Sequence, residues 1–502
     1  MTIESVAIES LGMERLTVES LAIEMDISER DISEKAAPLW SAFDSMKASS
    51  QFMGEATYQE RLNDLRALKR MLVENRDALT DAISKDYGNR SWHETTFGEF
   101  IAVMGAIDYI SKQLKRWMRP QKKKVDFTLF PGAKNRVIPQ PLGVVGIIVP
   151  WNGPINLSMV PAATALAAGN RVMIKMSENS RHTSKLLKEL TPRYFSKNKL
   201  IVIEETGGIG IEFSKIPFDL ILFTGSVETG KAVMAAASRN LTPVILELGG
   251  KSPAVIDPEY PLDKAVQRVV FAKQFNAGQV CLNVDYLFVH KTQLDEFVRL
   301  MKLESKGMVP DINHADYTSI IDERSLLRLE ESLQDAKAKG AEVINLCDQE
   351  INHNDRKFPL HLVLDAKPDM LISNRETFGP ILMVHTYGSK DEVIHHVNSR
   401  QKPLGFYVFS KNKKLVSEYI SKVMSGGVTV NDTMLHAFQD DMQFGGVGPS
   451  GMGHYHGYEG FMSFSKMRPV FYQPHYNPMS LLKPPYQNWV TKSFNLILKL
   501  KS

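Results

Sequence analysis

Five short runs of Val, Ile and Leu between residues 144 and 250 constrain this chain more than any other feature. They are VVGIIVPW (144–151), RVMIKM (171–176), KLIVIEE (199–205), DLILFTG (219–225) and TPVILELGG (242–250). Each is continuously apolar rather than alternating, and helical stretches such as MVPAATALAAG (159–169) and VETGKAVMAAASR (227–239) separate several of them. A strand that is apolar on both faces must be covered on both. Strands alternating with helices supply that cover, so the pattern predicts an α/β domain with a parallel sheet between helical layers. Ligands of such sheets bind beyond the carboxyl ends of the strands. The loops after Val149, Ile174 and Phe223 are therefore where chemistry is expected. A second mixed region runs from about 248 to 432, with a helical DKAVQRVVFAKQF (263–275) and a strand-like PILMVHTY (380–387).

The flanks are less informative. Residues 1–36 carry nine Asp and Glu against three Lys and Arg, with an imperfect echo of IESVAIE (3–9) in VESLAIE (18–24). Two copies are too few for a solenoid, and an added helical or frayed extension is expected. The Leu62, Leu65, Leu68, Leu72, Leu79 and Ile83 series follows a helical period and stops at Gly88, which predicts an amphipathic helical segment over 57–87 with room for one break. The basic stretch KQLKRWMRPQKKK (112–124) reads as a solvated linker, and the tail SFNLILKLKS (493–502) as a sheet-edge strand or a dangling end. Sixty Lys and Arg against 57 Asp and Glu leave a formal charge of +3, which gives no electrostatic reason to bind nucleic acid. No apolar run approaches the roughly 18 residues a membrane-spanning helix needs. Two cysteines, Cys281 and Cys347, are too few for a disulfide framework, and the N-terminus lacks the features of a targeting peptide, so the cytoplasm is the expected compartment.

The chemistry-bearing residues are few. GSVETGK (225–231) fits a phosphate-binding loop until Ala232, where nucleotide-triphosphate chemistry needs Ser or Thr. What survives is a strand entering a glycine-bearing helix start that can face a phosphate; no GxGxxG fingerprint accompanies it. The thirteen histidines form no HExxH, no paired CxxC exists, and no metal is expected. Cys281, in FNAGQVCLN, is by itself compatible with a buried small hydrophobe. Thiolate catalysis there needs an oxyanion donor and a base. Asn152 in PWNGP can donate through its side-chain amide together with the Cys281 N–H, and Glu247 in ELGGK sits among apolar residues that raise a carboxyl pKa toward that of a useful base.

PWNGPINL, KMSENS, FTGSVETG, ELGGKSP, FNAGQVC, ETFGPIL, SGGVTVND and QFGGVGPSGMG occur in the order found in aldehyde dehydrogenases, which this chain resembles over about 40–490. ELGGKSP, SGGVTVNDTMLH and SGMGHYHG resemble the class 3 branch. RPVFYQP, KPPY and the extended N-terminus resemble its bacterial coniferyl aldehyde dehydrogenases. The resemblance implies a nucleotide-binding domain (39–119 and 142–246), a catalytic domain (247–432) and a small β oligomerisation flap or bridging segment (120–141 and 433–491). An extension (1–38) and a tail (492–502) flank them. It implies oxidation of an aldehyde with NAD, NADP being an alternative, through a thiohemiacetal and a thioester on Cys281, with Asn152 on the oxyanion and Glu247 activating water. By the same resemblance Lys175 and Glu178 meet the adenosine ribose, Gly225 and Ser226 lie by the pyrophosphate, Glu376 and Phe378 hold the nicotinamide ribose, and Asn431 steadies the active-site geometry. The partners implied are a small aldehyde and a second copy in a homodimer.

Three departures stand out from relatives of that family. Met176 replaces the usual proline, Asn283 and Val284 replace Ala-Pro beside the nucleophile, and Gly153 replaces an aromatic. Gly153 widens a substrate tunnel, which predicts bulky aromatic or long-chain aldehydes. A coenzyme A-acylating enzyme and a catalytically silent scaffold with the same fold are the competing expectations; Glu247 disfavours the first, and the set Cys281, Glu247, Asn152 and Lys175 the second.

Overall fold

All five apolar runs become strands of one sheet. The computed structural model describes residues 29–52, 54–127, 129–475 and 483–501. Among these, a six-stranded sheet runs in the order 451–452, 244–248, 220–225, 144–148, 171–175 and 200–203, parallel except for its first, antiparallel strand. The central strand Val144–Ile148 is buried at every position. Its alternate side chains enter different cores. Val145 and Ile147 pack with the helices Tyr58–Glu74, Ala102–Trp117 and Asn156–Ala167, whereas Val144 and Ile148 pack with Leu39, Phe43, Met46, Phe213 and Val233 on the other face. That two-sided burial is why the runs do not alternate.

A seven-stranded sheet follows in the order 342–345, 361–364, 381–387, 284–290, 252–256, 405–409 and 427–430, with only the 342–345 edge antiparallel. A three-stranded antiparallel sheet joins Gln121–Lys123, Lys134–Pro141 and Ser465–Tyr472. The short strand Gly451–Met452 lies in the stretch expected to belong to the flap, yet it pairs with Leu246 and Glu247 in the nucleotide-binding sheet.

Several local expectations are modified. The 57–87 segment is two helices, Tyr58–Glu74 and Arg76–Tyr87, broken at Asn75; Thr57 and Glu60 close a reciprocal capping box at its start. The basic stretch is no linker, because 112–117 finishes a helix and 121–123 is a strand. The tail is the helix Asn488–Lys501, not a strand: its apolar residues also satisfy a helical period, and no sheet edge pairs with it among the described residues. At the other end, the helix Glu29–Phe52 crosses the expected boundary at 38. The echoed segments 3–9 and 18–24 lie outside the described residues.

Asn170 holds two of these layers together. Its Oδ1 accepts from the backbone N–H groups of Leu142 (2.8 Å) and Gly143 (3.0 Å), and its Nδ2 donates to the carbonyls of Ala165 (3.1 Å) and Phe464 (2.8 Å). The residue is fully buried, so truncation strands backbone groups at roughly 1–3 kcal/mol each. Asn170→Ala is expected to lower the melting temperature by several degrees in a thermal scan, whereas Asn198→Ala, which removes an exposed hydrogen bond to Ser45, should shift it far less.

Candidate active site

The loop that presents Cys281 is bent by three successive residues with positive φ. After the helix Leu262–Gln274, Asn276, Ala277 and Gly278 adopt φ of 53°, 48° and 73°. Only glycine does so readily, and each of the other two costs on the order of 1–3 kcal/mol unless its surroundings enforce it. Here they do. Asn276 Nδ2 reaches the Asn152 carbonyl (3.3 Å), the Gln279 carbonyl (3.1 Å) and Tyr87 Oη (3.3 Å), while its N–H donates to Glu94 Oε2 (3.0 Å). Gln279 donates to the carbonyls of Asn276 and Ser319 (both 3.0 Å) and accepts from Ile321 N–H (2.9 Å). Asn283 completes the bracket by donating to the Gly278 carbonyl at 2.8 Å. The departure at 283 is thus a structural tie beneath Cys281.

Two cavities of about 350 and 360 Å³ meet at Cys281, and Asn152, Leu157, Phe444 and Tyr455 line both. The first is largely apolar, walled by Phe97, Phe275, Phe438 and Phe444, with Gly153 in its lining. A Cβ on Gly153 would lie 3.2 Å from Leu157 Cγ, so a larger residue there would have to displace that side chain. The second runs along the carboxyl ends of the strands 220–225 and 244–248, past Thr224, Gly225, Ser226, Glu247, Glu376 and Phe378. Asn152 Nδ2 donates to the Gln279 carbonyl at 3.2 Å. A side-chain amide carries two N–H donors, and that bond fixes the plane of the other.

The electrostatics are those of a dry pocket. Burial pushes the Cys281 thiol up to about 12, and the carboxylates of Glu376 and Glu247 reinforce the shift. Burial raises Glu247 well above the ordinary carboxylate range, opposed only by the nearby Gly446 backbone N–H. Glu376 rises to about 8, from burial and the nearby Asp285. Its loop is held from behind. Arg328 donates to the carbonyls of Glu376 (3.0 Å) and Thr377 (2.9 Å), and Asp285 accepts from the Thr377 N–H (2.8 Å) and hydroxyl (3.0 Å). Phe378, at φ 41°, packs edge-on to Trp151 with ring centroids 5.5 Å apart.

The second cavity has the parts to hold a phosphate-bearing cofactor at a helix start. Gly225 and Ser226 precede the helix Val227–Ser238; Ser226 Oγ caps it by accepting from Thr229 N–H (3.2 Å), while the first-turn amides ahead of Thr229 lack intrahelical partners. Thr224 Oγ1 is buried without a partner in the same wall. The expected ribose contacts look different. Lys175 stands at the end of the strand Arg171–Lys175 but forms a buried ion pair with Glu205 at 2.6 Å, and neither Lys175 nor Glu178 lines either cavity. Glu205 also accepts from the N–H groups of Gly207, Ile209 and Gly210. Met176 fills core space and keeps its N–H on the Ile203 carbonyl (3.0 Å). Asn431 lies off both cavities; its Oδ1 accepts from Ser410 N–H at 2.8 Å.

Sequence reasoning missed Glu205, Arg328 and Tyr455. Tyr455 was within reach, lying inside the SGMGHYHG motif. The other two carry no local pattern, and only the tertiary structure brings them in.

Residues 32–470 match the model of the family described as "Aldehyde dehydrogenase family". A probable coniferyl aldehyde dehydrogenase of Pseudomonas aeruginosa is 44% identical, over 90% of this chain and 93% of its own. The coniferyl aldehyde dehydrogenase of a Pseudomonas species is 41% identical over 90% and 94%. The substrate-bound state of Staphylococcus aureus AldH superposes with a TM-score of 0.87 at 30% identity, covering 92% of this chain and 99% of that one.

A thiol held near 12 reacts slowly at neutral pH. Alkylation of Cys281 by iodoacetamide, followed by peptide mass spectrometry, is expected to accelerate steadily between pH 7 and 10. At pH 9, where Glu376 is ionised, Glu376→Gln should speed it, because one of the charges opposing the thiolate is gone.

Proposed function

The chain belongs to the aldehyde dehydrogenase family, and from that premise we propose that Cys281, Asn152 and Glu247 carry the NAD(P)-dependent oxidation of an aldehyde to its acid. The observation that carries these assignments is the meeting of an apolar cavity and a cleft along the strand ends at Cys281, with Asn152 lining both and a buried Glu247 on the cleft side. Cys281 gives its thiol proton to Glu247, which returns it to solvent, and the thiolate adds to the carbonyl carbon, whose oxygen takes the charge. Asn152, through its second N–H, and the Cys281 amide donate to that oxyanion. When bound, the nicotinamide supplies the acceptor for the hydride that leaves the carbon, and the acyl group remains on sulfur. Glu247 then takes a proton from water, whose oxygen attacks the thioester; Cys281 departs as thiolate. Burial lends Glu247 a basicity that an exposed carboxylate lacks.

The substrate we assign is a bulky arylaldehyde such as coniferyl aldehyde. Four phenylalanines and Gly153 around the first cavity support it, as do the names of the relatives. NAD is the preferred cofactor in this reading: Glu205 neutralises Lys175, and Glu178 is an exposed carboxylate where a 2′-phosphate would need a cation. A homodimer is proposed through the antiparallel sheet whose outer strand Ser465–Tyr472 exposes Phe471 and Tyr472. Two free cysteines favour a reducing, cytoplasmic setting.

Reduced cofactor measured at 340 nm with coniferyl aldehyde should accumulate without coenzyme A, and Cys281→Ala should abolish it. Glu247→Gln should give about one equivalent of reduced cofactor per site and then turn over roughly 10²–10⁴-fold more slowly. In the wild type, kcat should fall as pH drops and Glu247 becomes protonated, with its midpoint above the usual carboxylate range because burial raises that pKa. Turnover that requires coenzyme A would reject the hydrolytic reading, and a monomer by light scattering at micromolar concentration would reject the dimer.

A further inference from the structure

The apolar cavity has a polar feature that the reaction does not use. Asp440 lines it, beside the partly exposed Phe97, Ile101 and Phe438 that mark its solvent side. Cys281 and Asn152 line the same cavity where it meets the cofactor cleft. The Asp440 carboxylate lies against the helix Ala102–Trp117, with Oδ2 3.6 Å from where a Cβ on Gly105 would sit. The absence of a side chain at Gly105, itself in the lining, keeps that approach open.

The other charged side chains of the cavity, Arg90 and Glu99, are paired with each other. They meet in a buried pair at 2.9 Å, and the second oxygen of Glu99 accepts from the N–H groups of Ile155 (3.0 Å) and Asn156 (2.7 Å). The neighbouring Asp441 takes the Tyr109 hydroxyl. Asp440 has no hydrogen-bond or ion-pair partner among the described residues, and burial raises its pKa. On the adjoining wall, His456 presents a buried Nε2 that is likewise without a partner. The residue after His456 approaches the Asp440 backbone, since a Cβ on Gly457 would lie 3.5 Å from the Asp440 carbonyl oxygen.

A half-buried carboxylate without a protein partner, on the solvent side of an aromatic-walled cavity, is free to accept from a ligand that enters it. We propose that Asp440 is a specificity-determining residue whose carboxylate accepts a hydrogen bond from a hydroxyl on the end of the arylaldehyde remote from its carbonyl. This inference rests on the arylaldehyde reading above and adds to it the part of the substrate that is recognised. The preferred class is hydroxylated aryl or cinnamyl aldehydes, and the same ring with its hydroxyl methylated loses the bond and sets a methyl group against the carboxylate. His456 Nε2 stands in the same cavity as the second polar atom for a ring substituent.

The test compares coniferyl aldehyde with 3,4-dimethoxycinnamaldehyde, which differs from it by one O-methyl group. The wild type should favour the free hydroxyl by roughly tenfold or more in kcat/KM, as a hydrogen bond to a charged group implies, and the difference should lie in KM rather than kcat. Asp440→Ala should bring the ratio to about one, and Asp440→Asn, which keeps a neutral acceptor, should leave it in between. Because each ratio is internal to one variant, a general loss of activity does not obscure it. Equilibrium titration of the two aldehydes into Cys281→Ala and into Cys281→Ala/Asp440→Ala should give the same pattern in Kd without turnover. An unchanged preference in Asp440→Ala and Asp440→Asn overturns the proposal while leaving the arylaldehyde reading intact. Failure of the wild type to oxidise either compound, with activity on aliphatic aldehydes, overturns both.

Discussion

The active site depends on a bend that the backbone does not favour. Asn276 and Ala277 hold left-handed conformations, and the hydrogen bonds of Asn276 and Gln279 make the bend affordable. Those bonds draw on partners far apart in the sequence: Tyr87 and Glu94 from the helical layer, the Asn152 carbonyl from the end of a nucleotide-sheet strand, and Ser319 and Ile321 from the second α/β region. The bend therefore exists only when all three regions are docked. Cys281 and Asn152 are set by the same polar lattice, since Asn152 gives its carbonyl to Asn276 and its amide to the Gln279 carbonyl.

Dryness imposes opposite demands on the two reacting groups. It makes Glu247 a better base and Cys281 a reluctant nucleophile, because each must become an anion where water is scarce. The two anions also disfavour each other. A site of this kind keeps its sulfur protonated at rest, which limits oxidation of an otherwise exposed thiolate. Glu376 adds a third acid to the cleft, and Arg328 and Asp285 hold its loop through backbone groups rather than by neutralising its carboxylate directly.

Much of this was legible in the sequence, and the physical reasons are particular. The strands at 144–148, 171–175 and 220–225 announced themselves because two-sided burial demands unbroken apolar runs. Asn152, Glu247 and Cys281 could be singled out because the chemistry needs those residue types beside strand ends and glycine-rich turns, and all three line one cavity. Glu205 was hidden, since nothing near IEETGG says that a carboxylate there will meet Lys175 from the adjacent strand. Asp440 was equally silent in HAFQDD, where two acids look like ordinary surface charge. The tail misled because NLILKLK satisfies both a two-residue and a helical period over so few residues, and the structure gives it to the helix.

The pairing of Gly451 with Glu247 bears on how this protein comes into being on the ribosome. The strand that carries Glu247 is complete along one side early in synthesis, but its other neighbour lies about two hundred residues downstream. At the pace of translation, roughly 5–20 residues per second, that neighbour emerges some 10–40 s later. Throughout that interval the nascent chain has an open sheet edge where its base will sit. The edge beside Glu247 is closed by a segment made some two hundred residues later, so a truncated product that stops short of it lacks that edge.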